Sequence, residues 1–265
     1  MDIIVCIKQV PDTSELRIDP VTGNLIREGV PGILNPEDKH AVEAAVCLKE
    51  KHGGHVTAIT MGPPQAEEAL RECLAMGADR AILLTDRAFS GADTCATSYT
   101  LSRAVQKVGK FDLILCGRQA LDGNTAQVGP QLAELLGIPQ ITYVQSMEVD
   151  GHKARVRKAL EDGYEILEGR LPLLLTVTKD TNVPRVPAID AIIASCAEDK
   201  VITWTAEDLD IDKALTGLKG SPTRIRRAFT PETKSGRVEM LEGSAEEAVK
   251  SLVSRLRGKH LLEEA

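Results

Sequence analysis

Apolar and polar positions along the chain change period once. Up to about residue 137, short and nearly continuous apolar runs alternate with stretches of helical period. DIIVCIKQV reads as a first strand. NPEDKHAVEAAVCLKEKH, residues 35–52, reads as a helix: Asn35 is a capping type, Pro36 suits the first helical position, and acids crowd the first turn. GGHVTAITMG turns into a second strand. In PQAEEALRECLAMG, Ala66, Ala69, Leu70, Cys73 and Leu74 recur at helical spacing, and Gly77 supplies the stop. ADRAILLTD is a third strand, ADTCATSYTLSRAVQKVG a third helix capped by Asp93 or Thr94, and FDLILCG a fourth strand. GRQALDGNTAQVGPQLAELLG then leads into a fourth helix that stops at Gly137. Buried strands separated by helices imply an α/β fold with a mostly parallel sheet covered on both faces, and right-handed crossovers make it doubly wound.

After Ile138 the period falls to two. Asp150-Gly151 and Asp162-Gly163 punctuate the alternation as turns, which predicts antiparallel strands at one edge of the sheet. RLPLLLTVTKD is a further buried strand. Regularity fades from Asn182 onward: a short helix from Pro187, a short extended piece in VITWTAEDLDID, then a stretch rich in Gly, Pro, Ser and basic residues. SAEEAVKSLVSRLRG closes the pattern as an amphipathic helix. Ser244 and Glu247 form a capping box, and Ala248, Val249, Leu252, Val253 and Leu256 make one apolar stripe. That stripe needs a surface to lie on. The expected division is an α/β domain over residues 1–205 and a C-terminal arm over residues 206–265.

Composition narrows the picture. In 265 residues, 43% are apolar, enough for a sizeable core, and with only 3% aromatics that core is aliphatic. Few aromatics and a net charge of -7 argue against a nucleic-acid partner, which asks for stacking rings or clustered cations. No apolar run approaches the roughly 20 residues that span a bilayer, so no membrane insertion is expected. MDIIVCIKQV lacks a basic n-region and reads as a strand rather than a signal peptide. The six cysteines form no C-x-x-C pair and the five histidines are isolated. The expectation is buried thiols in a reducing, cytoplasmic compartment and no metal site.

Chemistry in an open parallel sheet sits beyond the carboxyl ends of the strands. Those ends carry Val10, Pro11 and Asp12; Thr60, Gly62 and Pro63; Asp93 and Thr94; and Gly117 and Arg118. They are rich in small residues, hydroxyls and glycine and poor in acid–base pairs. In GRQALDGNTAQVGP, Gly123, Asn124 and Thr125 stand just before the expected helix start. Free N–H groups and the positive helix end there favour a phosphate, with Thr125 and Gln127 as added donors. The alternative is an ordinary cap by Asn124 or Thr125 after an Asp122-Gly123 turn. Gly129-Pro130 weighs against it, since it weakens the helix with no packing reason evident in the sequence. The usual fingerprints G-x-G-x-x-G, G-x-x-x-x-G-K-[ST], G-x-S-x-G and H-E-x-x-H are absent.

VCIKQVPDT, NPEDKHAVEAAVCLKE, VTAITMGPPQAEEALRECLAMGADRAILLTD, GADTCATS, GRQALDGNTAQVGPQLAELLG and LKGSPT occur in this order. Over nearly the whole chain they resemble the beta subunit of electron-transferring flavoproteins. The resemblance implies a heterodimer with an alpha subunit, an adenine-nucleotide-hydrolase-like (Rossmann-like) domain, and an extended C-terminal arm around the partner. Simple members hold AMP in the beta subunit; electron-bifurcating members hold a second FAD there. DPVTGNLIREGVPGILNPED and DGNTAQVGP resemble the bifurcating versions, with Asn124 where the commoner form has Asp. The implied activity takes hydride from NADH onto that FAD. One electron then goes to ferredoxin or flavodoxin, and the other, through the alpha FAD, to a partner dehydrogenase or reductase. No side-chain nucleophile is expected.

The implied cofactor ligands are Val10, Pro11 and Asp12 near the adenosine, with Thr60, Gly62 and Pro63 lining the nucleotide. Asp93, Thr94 and Thr97 supply polar contacts. Gly123, Asn124, Thr125, Gln127, Val128 and Gly129 hold the pyrophosphate. Asn35, Asp38 and Gly117 count with them. Arg118 either tunes the flavin or its phosphate or is a solvated loop residue. KDTNVPRVPAIDAIIASC matches the family's dehydrogenase-docking region, but without the basic run that follows the Pro-Arg pair in simple members. Thr181 stands where an apolar anchor is expected, with Val183 close by. Acyl-CoA dehydrogenases, enoyl-CoA-type reductases and a flavin-dependent lactate dehydrogenase are the candidate partners, and the basic segment from Arg224 to Arg227 either helps docking or is a solvated face. Two other readings stay open: a simple carrier with AMP in this chain, and a non-redox nucleotide sensor or structural subunit.

Overall fold

The computed structural model describes residues 1–12, 17–18, 25–26, 31–197, 199–224 and 240–262. The chain divides into two compact units, Met1–Ala228 and Phe229–Ala265. In the first unit the strands are β1 (Asp2–Cys6), β2 (Gln9–Pro11), β3 (Arg17–Ile18), β4 (Leu25–Ile26), β5 (Gly32–Leu34), β6 (His55–Met61), β7 (Arg80–Leu84), β8 (Leu113–Gly117), β9 (Gln140–Asp150), β10 (Lys153–Leu160), β11 (Gly163–Arg170), β12 (Leu173–Val177) and β13 (Val201–Trp204). Its helices are α1 (Pro36–His52), α2 (Glu67–Met76), α3 (Thr94–Val108), α4 (Val128–Leu136) and α5 (Ile189–Ser195). The second unit carries α6 (Ala245–Gly258). Among the described residues no helix is long and apolar enough to cross a membrane.

Nine strands form one sheet in the order β11-β10-β9-β12-β8-β1-β6-β7-β13. All its pairs from β9 to β13 are parallel, while β9, β10 and β11 pair antiparallel, as the period-two stretch predicts. β2 and β5 make a separate antiparallel pair, as do β3 and β4. The parallel strands are buried on both faces because two layers of helix cover them. On one face Ala41, Val42 and Ala45 of α1 and Leu70, Cys73 and Met76 of α2 pack on Ile3, Val5, Leu113 and Leu115. On the other, Leu101, Ala104 and Val105 of α3 and Leu132 and Ala133 of α4 pack on Ile4, Ile82, Ile114 and Leu174. The architecture is the doubly wound α/β fold that the patterning implies.

Several elements depart from expectation. The extended piece VITW is a full edge strand: β13 pairs parallel with β7 from Val201↔Ala81 to Trp204↔Leu84. β12 lies between β8 and β9, so strands adjacent in sequence are separated in space, and its all-buried LLLTV reflects that interior place. α4 begins at Val128 with Gln127 at its cap position, not directly after the expected cap, Asn124 or Thr125. All six cysteines are free; Cys6, Cys73 and Cys116 are buried, but Cys47, Cys95 and Cys196 are exposed, against the expectation of buried thiols. Cys47 lies on the exposed side of α1, Cys95 in the first turn of α3 and Cys196 at the end of α5, positions that their apolar neighbours in sequence do not distinguish.

Candidate functional site

From β1 the chain builds β6 and β7 to one side, then crosses back to place β8 on the other. The order reverses between β1 and β8, so a crevice opens beyond their carboxyl ends. The amino end of α1 closes the base of this crevice. Asp38 bridges the two strands: one carboxylate oxygen accepts the Lys8 N–H at 2.8 Å and the other the Gly117 N–H at 3.0 Å. Burial pushes the Asp38 carboxyl up to about 7, against the opposing hydrogen bonds of Asn35, Lys8 and Gly117. Asn35, almost wholly buried, makes no side-chain cap on α1. Its amide instead donates to the Gln119 carbonyl at 2.9 Å and accepts the Leu121 N–H at 3.0 Å. Glu37 accepts the Gln119 N–H at 3.0 Å and pairs with Arg118 at 2.7 Å. Asn35, Glu37 and Asp38 are thus the mount on which the loop after β8 is built.

That loop runs from Arg118 to Gln127. Lys8 spans the crevice to its middle, with Nζ 2.8 and 2.7 Å from the Asp122 carboxylate oxygens. Neither Asn124 nor Thr125 caps α4; Gln127 stands at the cap position and makes no side-chain cap bond. Asn124 and Ala126 are left-handed instead, with φ of 49° and 54°, while Gln127 returns to right-handed geometry at φ -104°. Such alternation turns successive N–H groups toward one concavity, a nest suited to an anion. The Gly123 and Asn124 N–H groups are taken by the Ala120 carbonyl, but those of Thr125 and Ala126 find no protein acceptor among the described residues. The first-turn N–H groups of Val128 and Gly129 have none within the helix. Gly123, Asn124, Thr125 and Gln127 are exposed, and a β-carbon on Gly123 would meet no atom within 4 Å. Here the sequence argument for Gly129 is corrected. It has a packing reason: its β-carbon would lie 2.7 Å from Thr176 Cγ2, because α4 approaches β12 closely. Pro130 sits in the first turn, where its missing N–H costs nothing.

The remaining candidates line the same edge in two groups. Val10 is buried in β2, flanked by half-buried Pro11 and Asp12. Thr60 ends buried, donating to the Ile7 carbonyl at 2.8 Å, and Gly62 and exposed Pro63 follow it. Thr94 donates to Gln127 at 3.2 Å, so the start of α3 touches the end of the loop, with half-buried Thr97 one turn on. Asp93 is the α3 cap: Oδ1 accepts from Cys95 and Ala96, and Oδ2 from the Thr223 N–H and hydroxyl at 2.9 and 2.8 Å. Its carboxylate ties LKGSPT to the sheet edge rather than facing the crevice. Ser98, which the sequence does not flag, donates to the Val128 carbonyl at 3.2 Å and fixes α3 to α4. Tyr143 was likewise missed; it lies in β9 at φ 58°, a conformation no local sequence signal announces. Among the described residues no group of three or more His, Cys, Asp or Glu is placed to hold a metal ion.

A crevice at a strand-order reversal, lined by N–H groups with no protein acceptor among the described residues, suits binding of a phosphorylated cofactor. Comparison with known proteins names the lineage. Residues 22–209 match the model of the electron transfer flavoprotein domain. The chain belongs to the electron transfer flavoprotein family. It is 55% identical over 262 residues to the electron transfer flavoprotein subunit beta of Clostridium acetobutylicum, covering 99% of this chain and 100% of that one. It is 52% identical over 264 residues to the caffeyl-CoA reductase-Etf complex subunit CarD of Acetobacterium woodii, covering 99% and 100%. Protein FixA of Azorhizobium caulinodans is 44% identical over 265 residues, covering 97% and 94%. Identity along whole beta chains assigns this electron transfer flavoprotein chain to the beta-subunit type.

In this family member the segment after β12 is clamped to α1. Arg185 donates from its backbone N–H and Nε to Glu43 at 3.0 and 2.8 Å, and from Nη1 to Glu50 at 2.6 Å. Burial of Glu43 acts to raise its carboxyl, but the Arg185 bonds outweigh it and hold it low. Asn182 donates to the His40 carbonyl at 2.9 Å. Thr181 is bound to the sheet through the Val144 carbonyl at 2.7 Å, whereas Val183 and Val186 stand 89% and 91% exposed. Of the basic segment expected after Thr223, Arg224 is exposed, and Ile225 to Arg227 lie outside the described residues, as does most of the stretch between Asp12 and Pro31.

Proposed function

We propose that this chain is the beta subunit of a heterodimeric, electron-bifurcating electron transfer flavoprotein, with FAD held at the β1–β8 crevice. The observation that carries the reading is the loop after β8. It has two left-handed non-glycine residues, unpaired N–H groups and open space over Gly123 at the reversal point of the sheet. The likeness to CarD and to the clostridial beta subunit supports the bifurcating kind. When bound, the flavin supplies the redox chemistry, accepting hydride from NADH and passing single electrons to ferredoxin or flavodoxin and to the alpha-subunit flavin. The chain's own residues bind and orient it. The N–H groups of residues 125–129 meet the pyrophosphate, Val10, Pro11, Thr60 and Gly62 flank the adenosine, and Lys8 and Arg118 add positive charge at the crevice. Asp38 and Asn35 hold the mount beneath.

The partners follow from two uncovered apolar surfaces. The stripe on α6, none of whose residues is buried, packs on the alpha subunit. Val183, Val186, Ile189 and Ile193 form the dehydrogenase or reductase contact, on a segment that Arg185 and Asn182 hold in place. An apolar contact without a basic run suits an acyl-CoA dehydrogenase, an enoyl-CoA-type reductase or a lactate dehydrogenase whose docking face is apolar too. Co-expression with the alpha subunit and measurement of flavin per heterodimer tests the reading. Two FAD are expected. One FAD with one AMP would make the protein a simple carrier, and bound ATP without flavin would make it a nucleotide sensor.

A further inference from the structure

Three local costs converge on the flank of the crevice away from β1. Tyr143 is a bulky residue at φ 58°, a conformation that costs on the order of 1–2 kcal/mol. It sits in a bulge: Ile141 pairs with Leu175 and Val144 with Val177, so Thr142 and Tyr143 face Thr176 alone. The bulge sends the Tyr143 N–H to the Thr176 hydroxyl at 3.1 Å and leaves the residue 38% exposed. Arg118 lies over that ring, 5.7 Å from its centre, with Nη2 held by Glu37. Its Nε is buried without a hydrogen-bond partner, which no other buried side-chain nitrogen or oxygen of the described residues shows. An unpaired buried donor costs about 1–3 kcal/mol. Its own backbone N–H donates to Val177 at the end of β12, so the pair is anchored to the sheet edge beside the nest of residues 124–127.

Strain of this kind persists where the surrounding structure over-determines it, and here it accompanies an aromatic ring and a cation held against each other. We infer that Tyr143 and Arg118 form the subsite for the second half of a dinucleotide, a planar heterocycle with carbonyl acceptors, and thereby set the preference for FAD over AMP. The heterocycle stacks against Tyr143, and Arg118 turns its unpaired Nε–H outward to a ring acceptor. Glu37 keeps the guanidinium at the rim by its bond to Nη2. This inference rests on the nucleotide reading above, in which residues 123–129 take the phosphates that AMP and FAD share.

Calorimetric titration of the full-length chain with AMP and with FAD separates the two claims. Wild type is expected to bind FAD at least about tenfold more tightly than AMP. Tyr143→Ala is expected to remove about tenfold of FAD affinity, the worth of one ring–aromatic stack, and Arg118→Met a comparable factor. Tyr143→Ala is expected to leave AMP affinity within about twofold. Tyr143→Phe keeps the stack and retains FAD affinity. Tyr143→Gly relieves the left-handed strain, so the melting temperature of the nucleotide-free chain does not fall although FAD affinity does. Equal loss of AMP and FAD would show that the pair merely holds the loop, and unchanged FAD affinity in Tyr143→Ala would place the ring elsewhere. Either result overturns the inference alone. A wild-type chain that binds neither ligand overturns the nucleotide reading and this inference with it.

Discussion

Gly117 and Gly123 stand six residues apart and do opposite things. A β-carbon on Gly117 would collide with the Asp38 carboxylate and lie 2.8 Å from its backbone nitrogen, so this glycine exists for the approach of α1 to β8. Gly123 faces open space. Gly123→Val is therefore expected to leave the thermal melting curve within about 0.5 kcal/mol of wild type. Its FAD and AMP affinities should fall by about tenfold or more, as titration would show. A matching loss of stability would mean that the chain itself fills that space. Asp38 sets a second expectation. Its folded value, about 7, lies above the ordinary 3.8, so the native state holds the proton more tightly than the unfolded chain. Its contribution is fully present below about pH 4 and is lost as pH rises through about 7. Wild-type stability relative to Asp38→Asn, followed by denaturant titration, should decline across that window; a flat difference would contradict the burial argument. In the sequence Asp38 is one more acid in a first helical turn, since nothing local says that two strand ends will donate to it.

At the scale of elements, the segment between β12 and α5 has little structure of its own and is held by Arg185 together with Thr181 and Asn182. Glu43 is nearly buried, with a side chain 7% exposed, and its partner Arg185 also reaches Glu50. Removing one member of such a pair leaves an uncompensated charge. Arg185→Ala is expected to cost about 3 kcal/mol, and Glu43→Gln on the same chain to recover part of it; additive losses in the double-mutant cycle would deny the coupling. The same variant should weaken association with a partner dehydrogenase, because Val183 and Val186 flank the anchor. β13 teaches the complementary lesson. VITW carries too few residues to announce a strand, and it becomes one because β7 offers an unpaired edge. The helices α1 to α4 and the β9–β11 meander were legible because caps, stops and D-G turns are local chemistry. The start of α4 was not, because Asn124 and Thr125 are good caps whose backbone the loop instead draws into the nest.

For the whole molecule, the two units raise different questions. The first buries a continuous core on each face of its sheet. The second contributes α6, whose capping box is formed and none of whose residues is buried. Leu252→Asp and Val253→Asp together are expected to abolish co-purification with the alpha subunit while leaving the melting temperature of the isolated chain unchanged; a fall in that temperature would assign the stripe to this chain's own fold. Sequence by itself determined the fold class, the sheet's antiparallel edge, the final helix and the family, because these follow from periodicity, capping and long ordered motifs. It also brought the candidate residues to one edge, since parallel strands all end there. Only the tertiary structure decided what each one does. Asp93, Asn35 and Asp38 became braces, Gly129 a packing residue, and Arg118 and Tyr143 a strained pair. Those roles depend on β12 entering between β8 and β9 and on α1 reaching across β1 to β8, contacts between residues far apart in the chain that no local pattern encodes.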